Sequence, residues 1–273
     1  MIKKVLYAFL ILLLMAMVYL GIKSYKHAIN YEKLTSEIVE YHGVEEQAKL
    51  TLEKFAKSLL GDLYEDERKI SFDALKKKQQ DSMLQAKMYT IYFMLVLFFL
   101  LSSYFFISLR VFTFFASLSA GITLFFGLIT PILMVTIQKE VQYLGDIVLS
   151  FESKGIIGSI VKLWESDDYI VALVIVLFSV FVPIIKICSL LFISIFVESK
   201  FAHSTVKFFK AIGKWSMVDV FVVAVFLVYL TANKGDVSRA EVEMGLYFFL
   251  AYVIVSMLVS LAADKMLREK ATL

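Results

Sequence analysis

The sequence predicts an all-α integral membrane protein with six transmembrane helices and a helical hairpin outside the membrane between the first two. Three observations carry this reading. Hydrophobic residues make up 60% of the 273 positions and charged residues 19%, where a soluble domain holds about 25% charged. The apolar residues gather in runs near or above the roughly 20 that one helix needs to cross hydrocarbon. The charges gather between those runs, except for Lys186 and Asp219, which interrupt two of them.

Lys3 and Lys4 precede an apolar run from Val5 to Ile22, closed by Lys23. A cleaved signal peptide has a shorter apolar core, roughly 7–15 residues, and small residues at its cleavage site, which Tyr19-Leu20-Gly21-Ile22 does not supply. Residues 1–23 therefore read as a signal-anchor helix with its N-terminus in the cytoplasm. Residues 24–88 are polar and of mixed charge. Within them Tyr31, Leu34, Ile38, Tyr41, Ala48, Leu52, Phe55 and Leu59 follow alternating three- and four-residue steps, broken only by Glu45. That is the heptad spacing of a long amphipathic helix. Gly43 is a candidate bend and Gly61-Asp62 a stop, after which a second helix runs from about Glu65 into the membrane at Tyr89. The bland role for this hairpin is a spacer; the sharper one is a docking surface or a lipid-handling arm.

Tyr89 to Ile137 is nearly unbroken apolar sequence, too long for one span and sufficient for two. The turn falls near Ser108-Leu109-Arg110, so 89–110 is a second transmembrane helix. Residues 111–273 then form a four-helix unit with spans at Val111–Ile137, Ile170–Phe196, Met217–Ala232 and Leu246–Ala263. Between the first two of these, Ile156, Ile157, Ile160, Val161 and Trp164 recur at helical spacing, with Ser159, Lys162 and Glu165 on the other side. This predicts a short amphipathic helix that lies on the outer membrane surface or caps the bundle.

Basic residues orient the chain. Lys200, Lys207, Lys210 and Lys214 crowd the 198–214 loop against Glu198 alone. The 138–168 loop sets Lys139, Lys154 and Lys162 against six acidic residues. Lys and Arg favour the cytoplasmic side, which predicts both termini inside. Trp164 and Trp215 fall at opposite boundaries, as an aromatic belt requires.

The polar residues inside the spans carry the chemistry. An ionised side chain at mid-membrane costs roughly 2.5–3.5 kcal/mol on insertion scales, so Lys186 and Asp219 should face a bundle interior or a cavity, where they can neutralise each other. Pro131 and Pro183 both fall inside predicted spans, and each proline removes a backbone donor. Pro183 and Ser179 precede Lys186 by three and seven residues, on one helical face. Ser216 shares a face with Asp219, and Ser256 with Ser260. A cluster of Lys186, Asp219, Ser179, Ser216 and Ser256 between three helices is geometrically reasonable. The bland alternative is an ion pair and serine glue that lock the bundle.

Other classes find little support. Cys188 alone forms neither an internal disulfide nor a cysteine zinc site, and His27, His42 and His203 have no metal-ligand spacing. We expect no metal and no cofactor. No basic patch interleaved with aromatics points to nucleic acid. No nucleophile–base arrangement or nucleotide-binding loop is visible, so we expect no enzyme.

At Gly213-Lys214-Trp215-Ser216-Met217-Val218-Asp219-Val220-Phe221 the chain resembles the paraquat-inducible protein A family. Further pieces agree in order. They are Thr130-Pro131-Ile132, the Gly145-Asp146 loop followed by Ser153, Gly155 and Gly158, the run from Phe178 to Lys186, and Gly245-Leu246-Tyr247-Phe248 leading to Val255-Ser256-Met257-Leu258. The likeness covers roughly Val111 to Leu267. It implies a bacterial inner-membrane protein that works with periplasmic MCE-domain proteins to move phospholipids or other hydrophobic molecules. It also implies a polar site at Ser179, Lys186, Ser216 and Asp219, with Ser256 where the family usually has threonine, and with Pro131, Pro183, Gly213 and Trp215 as structural or gating positions. Two-module relatives carry cysteine-rich zinc ribbons, which a single Cys excludes here, and two four-span units where this chain has one; a homo-oligomer would supply the second. The expected function is a subunit of an MCE-type lipid transport system, for which the Lys186–Asp219 pair offers a basis for proton coupling. The alternatives are a non-transporting scaffold or assembly factor that docks a periplasmic partner through the 24–88 hairpin, and a sensor with that hairpin as its input.

Overall fold

The structure is a computed structural model and describes residues 2–41, 67–141, 145–195 and 238–271. Its elements are α1 (Ile2–Tyr41), α2 (Glu67–Ser102), a 3₁₀ turn (Ser103–Phe105), α3 (Leu109–Ile129), β1 (Leu133–Val141), β2 (Gly145–Lys154), α4 (Ile156–Glu165), α5 (Tyr169–Ile175), a π-helical stretch (Val176–Phe181), α6 (Val182–Ile195), β3 (Ser238–Val242) and α7 (Met244–Ala271). Five helical segments among the described residues are long and apolar enough to cross a membrane: Lys4–Val39, Asp73–Phe105, Leu109–Ile129, Tyr169–Ile195 and Met244–Glu269. The protein is a multi-pass helical membrane protein. The remaining predicted span, Met217–Ala232, lies outside the described residues, as do Gly43, Glu45, Gly61-Asp62 and the heptad positions Ala48, Leu52, Phe55 and Leu59 of the predicted arm.

α1 and α2 pack along their length, and neither breaks where the anchor or the second span meets the arm. At 1.5 Å per residue the 40 residues of α1 reach about 60 Å, twice the hydrocarbon thickness. One seam explains the pairing. Leu10, Leu13, Met17, Gly21, Ser24, Ala28, Tyr31 and Leu34 are all buried and recur at three- or four-residue steps. Lipid supplies no hydrophobic drive between helices, so close packing and hydrogen bonds must hold the seam. Inside the apolar run it is bulky, with Phe93, Leu97 and Leu100 of α2 opposite. Beyond it the rungs turn polar. Ser24 Oγ lies 2.7 Å from Thr90 Oγ1, Asn30 Nδ2 donates to Ser82 Oγ at 2.7 Å, and Gln79 Nε2 donates to Thr35 Oγ1 at 2.8 Å.

The chain turns between α2 and α3 at the predicted place, and Arg110 does more there than mark a boundary. Its Nε and Nη2 donate to the carbonyls of Ser194 and Ile195 at 2.9 and 2.6 Å, tying the start of α3 to α6. Ser194 Oγ donates back to the Arg110 carbonyl at 2.8 Å. α3 is the central helix, packed against α1, α2, α6, α7 and α4.

The structure corrects the predicted span Val111–Ile137. α3 stops at Ile129, because Pro131 drives the residue before it out of the helical region: Thr130 sits at φ −79°, ψ 143°. Pro131 therefore lies just past the helix, not inside it. Leu133–Val141 is instead the central strand of a three-stranded antiparallel sheet of order β2-β1-β3, with a register shift between Ile137 and Gln138. The helical bundle stands, but it carries this sheet at the end away from Arg110.

α4 forms where the isoleucine spacing placed it, with its faces divided differently. Ile156, Ser159 and Leu163 are buried against the bundle, while Ile157, Val161 and Trp164 form an exposed apolar edge. Ser159, expected on the polar side, is buried because its Oγ donates to the Gly155 carbonyl at 2.9 Å. The helix ends in a Schellman motif with Asp167 at φ 64°: Asp168 N donates to Leu163 O and Asp167 N to Trp164 O.

Candidate functional site

Lys186 projects from α6 on the buried face that also carries Pro183, Ile187 and Leu190, while Ile184 and Ile185 face outward. It is 7% exposed in the middle of a span. Its Nζ donates to Ser256 Oγ of α7 at 3.1 Å. Ser256 is fully buried and donates its own proton to the Val253 carbonyl at 3.0 Å, which leaves its lone pairs free to accept from the ammonium. One helical turn on, Ser260 Oγ donates to the Ser256 carbonyl at 2.6 Å. An ammonium has three protons, and Ser256 takes one. Away from water, an ammonium needs anions, hydroxyls or carbonyls around it, and Ser256 is one of them.

The backbone before Lys186 is irregular for an identifiable reason. Pro183 has no N–H, and the carbonyl it would have served in an α-helix is that of Ser179. The π-helical stretch Val176–Phe181 spans this point and holds Ser179 buried. Such widened turns are rare and gather at functional sites. The stretch changes the phase between α5 and α6, and so decides which face of the span Lys186 meets.

A second convergence lies at the sheet end. Gly245 N donates to the Pro131 carbonyl at 2.7 Å and Glu243 N to the Ile132 carbonyl at 2.8 Å, tying the start of α7 to the end of α3. A Cβ at Gly245 would overlap the Thr130 carbonyl and come within 2.6 Å of that of Pro131. A Cβ at Gly155 would sit 3.0 Å from the same Thr130 oxygen, and one at Gly127 would sit 2.9 Å from Phe249 N. Thus Thr130-Pro131, Gly155 and Gly245, far apart in sequence, meet at one carbonyl.

Of the five residues expected to form the polar site, Lys186 and Ser256 are in contact, and Ser179 is buried in the π-helical stretch two turns before Lys186. Ser216 and Asp219 lie outside the described residues, and so do Gly213 and Trp215. Sequence reasoning did not single out Arg110 as a tie between α3 and α6 or Gly127 as a contact point. A lone arginine at a membrane turn is a signal that could have found the first. Nothing marks Gly127 before its neighbour on α7 is known.

The paraquat-inducible protein A family model matches residues 113–268, more than half of the chain. A Haemophilus influenzae protein named "Probable intermembrane transport protein" is 32% identical over 109 residues, covering 38% of this chain and 26% of that protein. The Escherichia coli K12 and Shigella flexneri proteins named intermembrane transport protein PqiA are each 28% identical over 125 residues, covering 44% of this chain and 30% of theirs. The aligned part thus spans between a quarter and a third of these relatives' length. No solved structure matches the chain.

Proposed function

The chain belongs to the paraquat-inducible protein A family, and from that premise we propose that it is an inner-membrane subunit of an MCE-type lipid transport system. It moves phospholipid or another hydrophobic molecule between the inner membrane and a periplasmic MCE-domain partner, and it is not an enzyme. Both termini face the cytoplasm in this reading, so the sheet and the α1–α2 arm face the periplasm. The relatives named as intermembrane transport proteins support the general role.

The observation that carries the reading is the buried ammonium of Lys186 on Ser256. A purely structural contact between these helices would need no charge, and desolvating one is costly. In the proposed mechanism Lys186 and Asp219 neutralise each other when the site is empty. Cargo or a proton displaces one partner, and Ser179, Ser216 and Ser256 orient what replaces it. Proton coupling follows if the carboxylate is protonated when the pair separates.

The test is transfer of a fluorescent phospholipid by the chain reconstituted with its MCE partner. Lys186→Ala and Asp219→Asn, each still inserted and folded, are expected to abolish transfer. Undiminished transfer by both would overturn the reading. One observation favours a second reading, a docking scaffold: α1 and α2 continue as a braced pair well beyond their apolar runs. In that case deleting most of 24–88 abolishes partner binding, while both charge substitutions leave function intact.

A further inference from the structure

α1 lies outside the region that matches the family, yet it forms one wall of a cavity with that region. The cavity measures about 380 Å³ and is lined by Val18 and Ile22 of α1, Gly121 and Phe125 of α3, and Ile187 and Leu191 of α6. That volume falls within the roughly 300–1,000 Å³ of small-molecule sites. Its floor is Gly121, where an added Cβ would meet only the Ile187 methyl, at 3.7 Å. Toward the sheet end α1 and α3 close on each other, because the Phe126 ring lies against Gly21 where any side chain would collide with it. The Ser117 hydroxyl donates to the Thr113 carbonyl at 2.6 Å, so its proton is already used inside α3.

The surroundings identify the occupant. Val18, Ile22 and Phe125 on the rim are exposed, within spans whose outer surface is apolar. Water gains nothing in such a groove, and hydrocarbon is the only other solvent at that depth. One turn past Ile22, on the same helical face, comes the exposed Lys26. A lysine at the membrane boundary with an apolar groove beneath it offers a cation to a phosphate and a slot to the chain below. We propose that this groove binds one acyl chain of a membrane glycerophospholipid from the leaflet on the sheet side, with its phosphate at Lys26. The site deepens the transport reading, on which it rests only for what the lipid is for.

Cross-linking the full chain in nanodiscs of phosphatidylethanolamine and phosphatidylglycerol, with a phospholipid carrying a diazirine on one acyl chain, tests this. Labelling of Val18, Ile22 and Leu191 is expected to exceed that of Leu12 and Leu95, which are apolar and exposed but off the groove, by about tenfold. Gly121→Phe, which fills the floor, should bring groove labelling down to the level of those controls. Should that variant fail to insert, Val18→Phe narrows the same space from the opposite wall. Even labelling across α1, or groove labelling that survives the filled floor, overturns the proposal. Lys26→Glu should lower the yield with phosphatidylglycerol several-fold, and an unchanged yield removes the phosphate from the site. Because labelling is read without transport, a failed groove leaves the Lys186→Ala transfer assay untouched, and a chain that moves no lipid can still be labelled.

Discussion

The α1–α2 hairpin and the α3–α6–α7 unit both bury hydroxyls between membrane helices, but they use them differently. In the hairpin each polar group meets another of like strength: Ser24 with Thr90, Asn30 with Ser82, Gln79 with Thr35. The helices on both sides are unbroken and the buried seam is regular. In the unit a buried serine faces a cation, and the helix that presents the cation is widened by a π-helical stretch before a proline. Paired neutral groups on regular helices hold a structure together. A charge on an interrupted helix holds it together poorly. In the proposed function it is therefore the irregular backbone and the ammonium, not buried hydroxyls alone, that mark the site.

Four tests sharpen or break this contrast. Lys186→Met keeps the volume of the side chain and removes the charge. It should reduce phospholipid transfer by about 100-fold with the thermal unfolding midpoint in detergent lowered little or raised, because a lost buried charge also removes its desolvation cost. A variant that unfolds instead would move the lysine into the class of glue. Gly245→Ala should cost about 1–3 kcal/mol of stability by forcing the Thr130 and Pro131 carbonyls aside, read as a drop in unfolding midpoint. Gly158→Ala is the control, since an added Cβ there meets nothing within 4 Å. Pro183→Ala restores a donor for the Ser179 carbonyl, so the span should regularise and turn Lys186 away from α7. Transfer should fall about tenfold with stability little changed, because the roughly 3 kcal/mol gained in helix propensity is offset by the cost of an ammonium turned toward lipid. If transfer persists, the irregular backbone has no part in function. The smallest effect belongs to the hairpin. Ser24→Ala with Thr90→Val should cost only about 0.6 kcal/mol, the mean for a hydrogen bond between membrane helices, and leave transfer unchanged.

Apolar runs were legible because the bilayer fixes their length. So were the turn at Arg110 and the short helix α4. The sheet was not. Leu133 to Ile137 is apolar but for Thr136, and a short apolar stretch following a span reads as its continuation, since periodicity cannot tell a buried strand from a helix end. Pro131 was the stop signal, and its effect on Thr130 settles the matter. Lys186 announced itself as a cation among isoleucines. The π-helical stretch did not, because the lost donor at Pro183 can be absorbed by a kink, a break or a widened turn, and the sequence is the same for all three. Half of the division of α4 was hidden for a related reason: Ser159 looks polar until its proton is spent on its own helix.

The clamp of Arg110 on the Ser194 and Ile195 carbonyls of α6 has a mechanical consequence. It anchors the foot of that helix to the foot of α3, while the Thr130–Gly245 junction anchors the head of α3 to the head of α7. Three rods fastened at alternate ends cannot slide past one another. What remains is twist, and the loosest coil in which to twist is the widened one above Lys186. In the proposed function a stroke would then be a rotation measured in degrees at one lysine, pivoting on those two ties.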